Sequence, residues 1–268
     1  TIFNKVNRHA RPTSSSDNII TSEDDGYAVV TRRLLDSGVE GPLAARDGRD
    51  IVEWQRTSLS KTSPKLTTLA SLYETVKDIL MVSGFRHFSE KDDPVAPGES
   101  QIDEAYEVAS EWWTTILEMP QFRTVLDNPD LIPEIRYSPS DPAALLLRPV
   151  GQISLVKGIT QAFAAARGDL SVKELTSRAA KVDWSPLSQN YWRDVIVRPD
   201  GRMIAKKEAY KLAAGLLEYL IAPEVVDDES QLDLWKSWNT ARGKAVGVPI
   251  DELPAEEIPQ DLPAHVGS

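Results

Sequence analysis

The sequence predicts a mainly α protein, and three observations carry that expectation. Apolar residues recur at helical spacing through most of the chain, in stretches closed by glycine or proline. Only one segment reads as a β-hairpin, near residues 195–205, where Val195-Ile196-Val197 and Met203-Ile204 flank Pro199-Asp200-Gly201. The 268 residues are 41% hydrophobic and 26% charged, enough apolar material for a substantial core.

The elements follow in order. Ile2, Phe3 and Val6 have the spacing of an amphipathic helix running to Ala10 and stopped by Pro12. It has no start signal before Thr1, so the expectation is a chain that begins inside a helix of a longer protein. After a Ser-rich turn, residues 27–37 form a helix with Val29, Val30 and Leu34 inward, closed by Gly38 as a left-handed cap. Residues 41–50 are loop, and Ile51-Val52-Glu53-Trp54 is a short strand candidate. Residues 67–83 place Leu69, Leu72, Val76, Ile79 and Leu80 on one helical face, ending at Gly84. Residues 91–100 are a polar linker. Residues 101–119 are helical up to Pro120, with Ile102, Ala105, Ala109, Trp112, Trp113 and Ile116 apolar.

Residues 128–149 contain five prolines and read as an irregular connection. An apolar helix at 153–167 ends at Gly168. Ser171 and Glu174 form a capping box for the next helix, to about residue 181. Helices at 207–221 and 228–243 follow, and the acidic, proline-bearing residues 248–268 form an extended tail.

The net charge of −11 is unevenly spread: +1 over residues 1–70, −10 over 71–135, +5 over 136–222 and −7 over 223–268. Screening over about 8 Å confines each charge to its neighbourhood, so an acidic protein can still present a phosphate-binding face. The absence of cysteine excludes disulfides, thiolate metal sites and cysteine nucleophiles. No run approaches the roughly 18 apolar residues of a membrane span, and the cytoplasm is the expected location.

The chain has no phosphate-binding glycine loop, no dinucleotide fingerprint and no nucleophile elbow. His9, His87 and His265 do not pair with carboxylates at ligand spacing, so no metal site and no cofactor are expected. Two clusters of cations stand out instead. Lys5, Arg8 and Arg11 share a helix face, Arg32 and Arg33 end the next helix, and Arg56, Lys61 and Lys65 border the loop Thr57-Ser58-Leu59-Ser60-Lys61-Thr62-Ser63-Pro64. Hydroxyls and amides beside Lys and Arg hold phosphate oxygens and position a duplex without reading bases. Arg198 and Arg202 lie on the expected hairpin, near Arg193, Lys206, Lys207 and Lys211. The same cations also suit helix C-termini and guarded sheet edges. Most of the seven tryptophans sit at apolar helical positions and read as core.

Phe3-Asn4, Asn7-Arg8, Ala10 and Pro12, then Asp24-Asp25 and Thr31-Arg32-Arg33, resemble the DGQHR-domain family. Val52-Glu53, Arg56-Thr57-Ser58-Leu59-Ser60 and Leu66-Thr67-Thr68-Leu69 extend the resemblance over residues 1–85. In that family the tract follows a ParB-like domain bearing the D-G-Q-H-R motif, which this chain lacks. The resemblance implies residues 1–55 as the remnant of a ParB-like α/β domain, 56–247 as a helical domain and 248–268 as the tail. It implies a DNA-binding regulator, of the transcriptional repressor type, in a bacterial DNA phosphorothioation (sulfur-modification) system. Its partners would be double-stranded DNA of the operon promoter and other phosphorothioation proteins, with a homo-oligomer left open. The alternative is a nucleotide-binding or hydrolysing ParB-like enzyme whose active motif lies upstream of Thr1. A protein-binding subunit, using the acidic block and tail, is a third reading. The chain itself shows no catalytic constellation and is expected not to turn over nucleoside triphosphates.

Overall fold

The structure, a computed structural model, describes residues 15–89, 96–187, 191–246 and 262–266. The Ser-rich segment expected as a turn forms helix α1 (Ser15–Thr21). In α2 (Gly26–Arg33), Asp25 is the N-cap: its Oδ1 accepts from the Ala28 amide at 3.2 Å. Its Oδ2 accepts from the Tyr73 hydroxyl at 2.7 Å, so one carboxylate both caps a helix and ties it to a neighbour. The helix expected to reach residue 37 ends at Arg33, and a single 3₁₀ turn, Ser37–Val39, follows. Gly38 is not a left-handed cap. Its amide donates to Asp36 Oδ1 at 2.8 Å inside that turn, and Glu40 takes the positive φ of 52°.

Strand β1 (Val52–Glu53) pairs in parallel with β2 (Thr67–Thr68), Val52 opposite Thr67. Thr68 also caps α3 (Leu69–Val82), its Oγ1 accepting from the Ser71 amide at 3.3 Å, so the helix starts two residues later than the apolar pattern indicated. Gly84 closes it with φ 104°. Helix α4 (Glu99–Leu117) buries the six apolar residues expected of it.

Proline acts here as a helix starter more than as a breaker. Pro120 begins α5 (Pro120–Asp127), where its missing N–H leaves nothing unpaired. The supposedly irregular stretch 128–149 contains a 3₁₀ turn, Pro129–Leu131, and helix α6 (Ile132–Tyr137), each with proline in its first turn. Pro149 opens α7 (Pro149–Ala166), four residues ahead of the expected start.

Helix α7 is the axis of the molecule. After α8 (Val172–Ala179), whose Ser171–Glu174 capping box forms as expected, helix α9 (Lys207–Ile221) packs along α7, and α3 covers another side. Close approach of α9 depends on Gly158, where a Cβ would lie 2.7 Å from Leu217 Cβ. Helix α10 (Asp228–Val246) docks on α9 and sends Trp238 into the core. One continuous apolar cluster runs from Ile19 to Trp238, and Trp184 stacks on Trp192 within it at 4.4 Å and 15°.

The hairpin expected at 195–205 is a chain reversal with a single antiparallel bridge, Val197 to Met203, and no strands. The amides of Val195, Ile196 and Val197 all turn toward the Trp192 carbonyl, at 3.1, 3.1 and 3.3 Å, which leaves few groups for a ladder. Of the expected tail, residues 262–266 are described: Leu262 and Val266 pack on the core and the Val266 amide donates to the Leu220 carbonyl at 3.0 Å. Among the described residues no helix is long and apolar enough to cross a membrane.

Candidate nucleic-acid interface

The parallel pairing of β1 and β2 forces residues 54–66 to leave and return as one loop. Its stem is closed by the Leu66 amide on the Ile51 carbonyl at 2.7 Å. Lys65 lies across the stem, its Nζ donating to the Val52 carbonyl at 3.2 Å, with Asp50 Oδ2 3.9 Å away. Toward the tip, the Ser63 amide closes a turn on the Ser60 carbonyl at 3.2 Å. This leaves Arg56 and Lys61 exposed, with no side-chain partner among the described residues.

Two arginines from the proline-rich stretch fix this loop. Arg136, at the end of α6, is 1% exposed and carries three main-chain contacts: Nε to the Leu147 carbonyl at 2.6 Å, one terminal nitrogen to Ser63 O at 2.9 Å, and the other to Lys65 O. Burial lowers its pKa to about 10, which still leaves it fully charged at neutral pH. A charged donor satisfies each carbonyl more strongly than a neutral one. Gln152 of α7 reinforces the stem, its amide nitrogen donating to Leu66 O at 3.0 Å and Leu146 O at 2.9 Å.

Arg148 extends the network to the second cationic segment. Its Nε donates to the Arg136 carbonyl at 2.9 Å, and one terminal nitrogen donates to the Gly201 carbonyl at 3.1 Å, with Met203 Sδ at 3.2 Å. The guanidinium lies 5.4 Å from the centre of the exposed Tyr137 ring. The turn it holds has Gly201 at φ 79°, with the Arg198 amide on the Arg202 carbonyl at 2.8 Å. Arg198 is exposed with no side-chain partner among the described residues, and Arg202 stands 3.6 Å from Asp200. The Ser/Thr-rich loop and the 198–202 turn, far apart in sequence, are therefore held by one pair of arginines.

The remaining expected contacts fall elsewhere. Lys5, Arg8 and Arg11 lie outside the described residues. Arg32 donates to the Ile19 carbonyl and so clamps α1 onto α2. Arg33 pairs with Asp103 of α4 at 2.6 Å and lies 5.1 Å over the Tyr106 ring. Both serve packing contacts within the protein. His87 is exposed. Sequence reasoning missed Arg136 and Arg148. Their signal was slight: they are the two cations of the proline-rich stretch 128–149, and each directly follows an apolar residue, Ile135 and Leu147.

An open cleft of about 490 Å³ adjoins the loop, lined by Asp50, Glu53, Trp54, Gln55, Arg56 and Lys65. Its charges are mixed. No group of three or more His, Cys, Asp or Glu among the described residues is placed to hold a metal ion.

Fold and site together define a mainly helical protein in which one linked pair of arginines holds two turns that carry exposed cations. A family model, DndB, described as DNA-sulfur modification-associated, matches residues 1–222. The chain belongs to the DndB family and is thereby associated with DNA sulfur modification. No curated protein and no solved structure matches it.

Proposed function

We propose that the chain is a DNA-binding regulator, of the transcriptional repressor type, serving a DNA phosphorothioation system in the cytoplasm, with the backbone of duplex promoter DNA as its ligand. The observation that carries this reading is the joining of the 54–66 loop to the 198–202 turn through Arg136 and Arg148. It gives Arg56, Lys61 and Arg198 a common support, while among the described residues their side chains have no partner. Hydroxyls of Thr57, Ser58, Ser60 and Thr62 lie on the same loop, and this is the chemistry that grips phosphate oxygens. The acidic surplus lies in other parts of the sequence, chiefly residues 71–135 and 223–268.

The test is fluorescence anisotropy on promoter and unrelated duplexes across a salt series. The combined variant Arg56→Gln, Lys61→Gln, Arg198→Gln should weaken both duplexes alike. It should also lower the slope of log K against log salt by about one unit per lost contact. Unchanged affinity and slope in a folded variant would remove this face from the DNA surface.

A further inference from the structure

Helix α9 ends on a main-chain acceptor that the residues after it do not serve. The chain runs Leu220-Ile221-Ala222-Pro223, and Leu220, Ile221 and Ala222 are fully buried. The last carbonyls of a helix need donors from outside it. The Ala222 amide meets the Glu218 carbonyl at 2.8 Å, and the Val225 amide, in the 3₁₀ turn Pro223–Val225, meets the Ala222 carbonyl at 3.1 Å. Pro223 stands where a 3₁₀ bond to the Leu220 carbonyl would start, and proline has no N–H to give. Two groups distant in sequence supply what is missing. Arg178 of α8 donates to the Ile221 carbonyl at 2.8 Å and pairs with Glu224 at 2.5 Å. The Val266 amide donates to the Leu220 carbonyl at 3.0 Å, while the side chains of Leu262 and Val266 rest half-buried on the core. Between them Ala264 and His265 are exposed, and His265 lies within electrostatic reach of Glu224. Residues 262–266 form no helix or strand. They lie on the end of α9 as a docked peptide, with two apolar anchors four positions apart and one amide on a buried acceptor.

We infer that this end of α9 is a peptide-binding site for an extended segment of that pattern, filled in cis by residues 262–266 and in trans by the same segment of a second copy. Identical residues make identical contacts, so exchanging the segment between two copies loses none of them and is a low-cost route to a dimer. Residues 247–261 join α10 to the docked segment. A chain of that length reaches up to about 50 Å, comparable with the diameter of a compact protein of this size. The inference is independent of the DNA reading, and neither falls with the other.

The probe is a labelled peptide copying residues 260–268, followed by fluorescence anisotropy. It is titrated into the full wild-type chain, into the double variant Leu262→Asp, Val266→Asp, which frees the site of its own segment, and into the milder Val266→Gly. Folding of each is checked by circular dichroism. A tethered segment competes at an effective concentration in the millimolar range, so the double variant should bind the peptide about 10-fold more tightly than the wild type. Val266→Gly should show a smaller gain, and it carries the comparison if the double variant unfolds. N-methylation of the Val266 amide in the peptide removes the donor to Leu220 and should weaken binding about 10-fold. Small-angle X-ray scattering of the wild type should reveal a dimer whose dissociation constant is on the order of 1 mM, absent from the double variant and dissolved by excess peptide. A folded variant that binds no peptide, or an N-methylated peptide that binds as well as the unmodified one, overturns the site. Peptide binding with no dimer over that concentration range overturns the second copy as its ligand.

Discussion

Arg148 donates from Nε to the main-chain oxygen of Arg136 at 2.9 Å, so the residue that grips one cationic turn is itself anchored to the residue that grips the other. Neither arginine uses a carboxylate for this purpose. Both hold carbonyl oxygens, of Leu147, Ser63 and Lys65 on one side and of Arg136 and Gly201 on the other.

Arg136→Met should be among the most destabilising single substitutions in the chain. It removes a buried charged donor and leaves three carbonyls unmatched. Hydrogen bonds to charged groups are worth about 1.5–3 kcal/mol each, with losses that do not add fully, so the expected cost is about 3–5 kcal/mol. Urea unfolding measures it, and a loss below about 1 kcal/mol would contradict the described geometry.

Arg148→Met should act more locally. It frees the Gly201 carbonyl and uncouples the 198–202 turn at a cost of about 1–2 kcal/mol. Hydrogen exchange should speed up at the Gly201 and Arg202 amides well before the α7 amides respond. Duplex affinity should fall even though Arg148 is not one of the three cations proposed to meet phosphate.

Gly151→Ala tests the start of α7. A Cβ there would stand 1.9 Å from the Leu145 carbonyl oxygen, whose residue is pinned by its amide on Trp184 O at 3.0 Å. Backbone rather than a side-chain tip must move, so the loss should reach about 3 kcal/mol. At Gly158 the obstacle is the Leu217 side chain, and Gly158→Ala should cost less in the same unfolding assay.

Glu218→Gln should stabilise the protein at neutral pH. Burial on α9 raises the carboxyl pKa above its ordinary 4.5, with no opposing cause. Below 4.5 the group is protonated folded and unfolded alike, and the substitution should change nothing. As pH rises past 4.5 and through the raised value, the wild type must ionise a partly buried acid while the amide does not. The Tm difference between variant and wild type should therefore open between those two pH values and stay constant above them. A difference that is largest in acid would refute this.

Helices with a clean apolar stripe were legible in the sequence, as α9 illustrates: residues 207–221 match the observed bounds. So was the Ser171–Glu174 box, because a cap is a local interaction. Pro120, Pro133 and Pro149 misled because the same residue that ends a helix also starts one, and the pattern around it does not distinguish the two. Of the candidate face, the exposed cations Arg56, Lys61 and Arg198 could be named in advance, but their common support could not. It depends on guanidinium contacts to carbonyl oxygens, and every residue has a carbonyl, so no sequence signal marks which ones are met.

The main-chain grip has one more consequence. Because Arg136 and Arg148 recognise carbonyls of Ser63, Lys65 and Gly201 and not their side chains, the architecture is indifferent to most of what those turns display. Residues 57–62 and positions 198 and 199 can be rewritten without dismantling the scaffold that aims them, while Gly201 at φ 79° and Asp200, which accepts from the Arg202 amide, keep the turn. Evolution, or a protein engineer, thus has a socket with two exchangeable inserts, open to retuning toward another target while the helical frame stays unchanged.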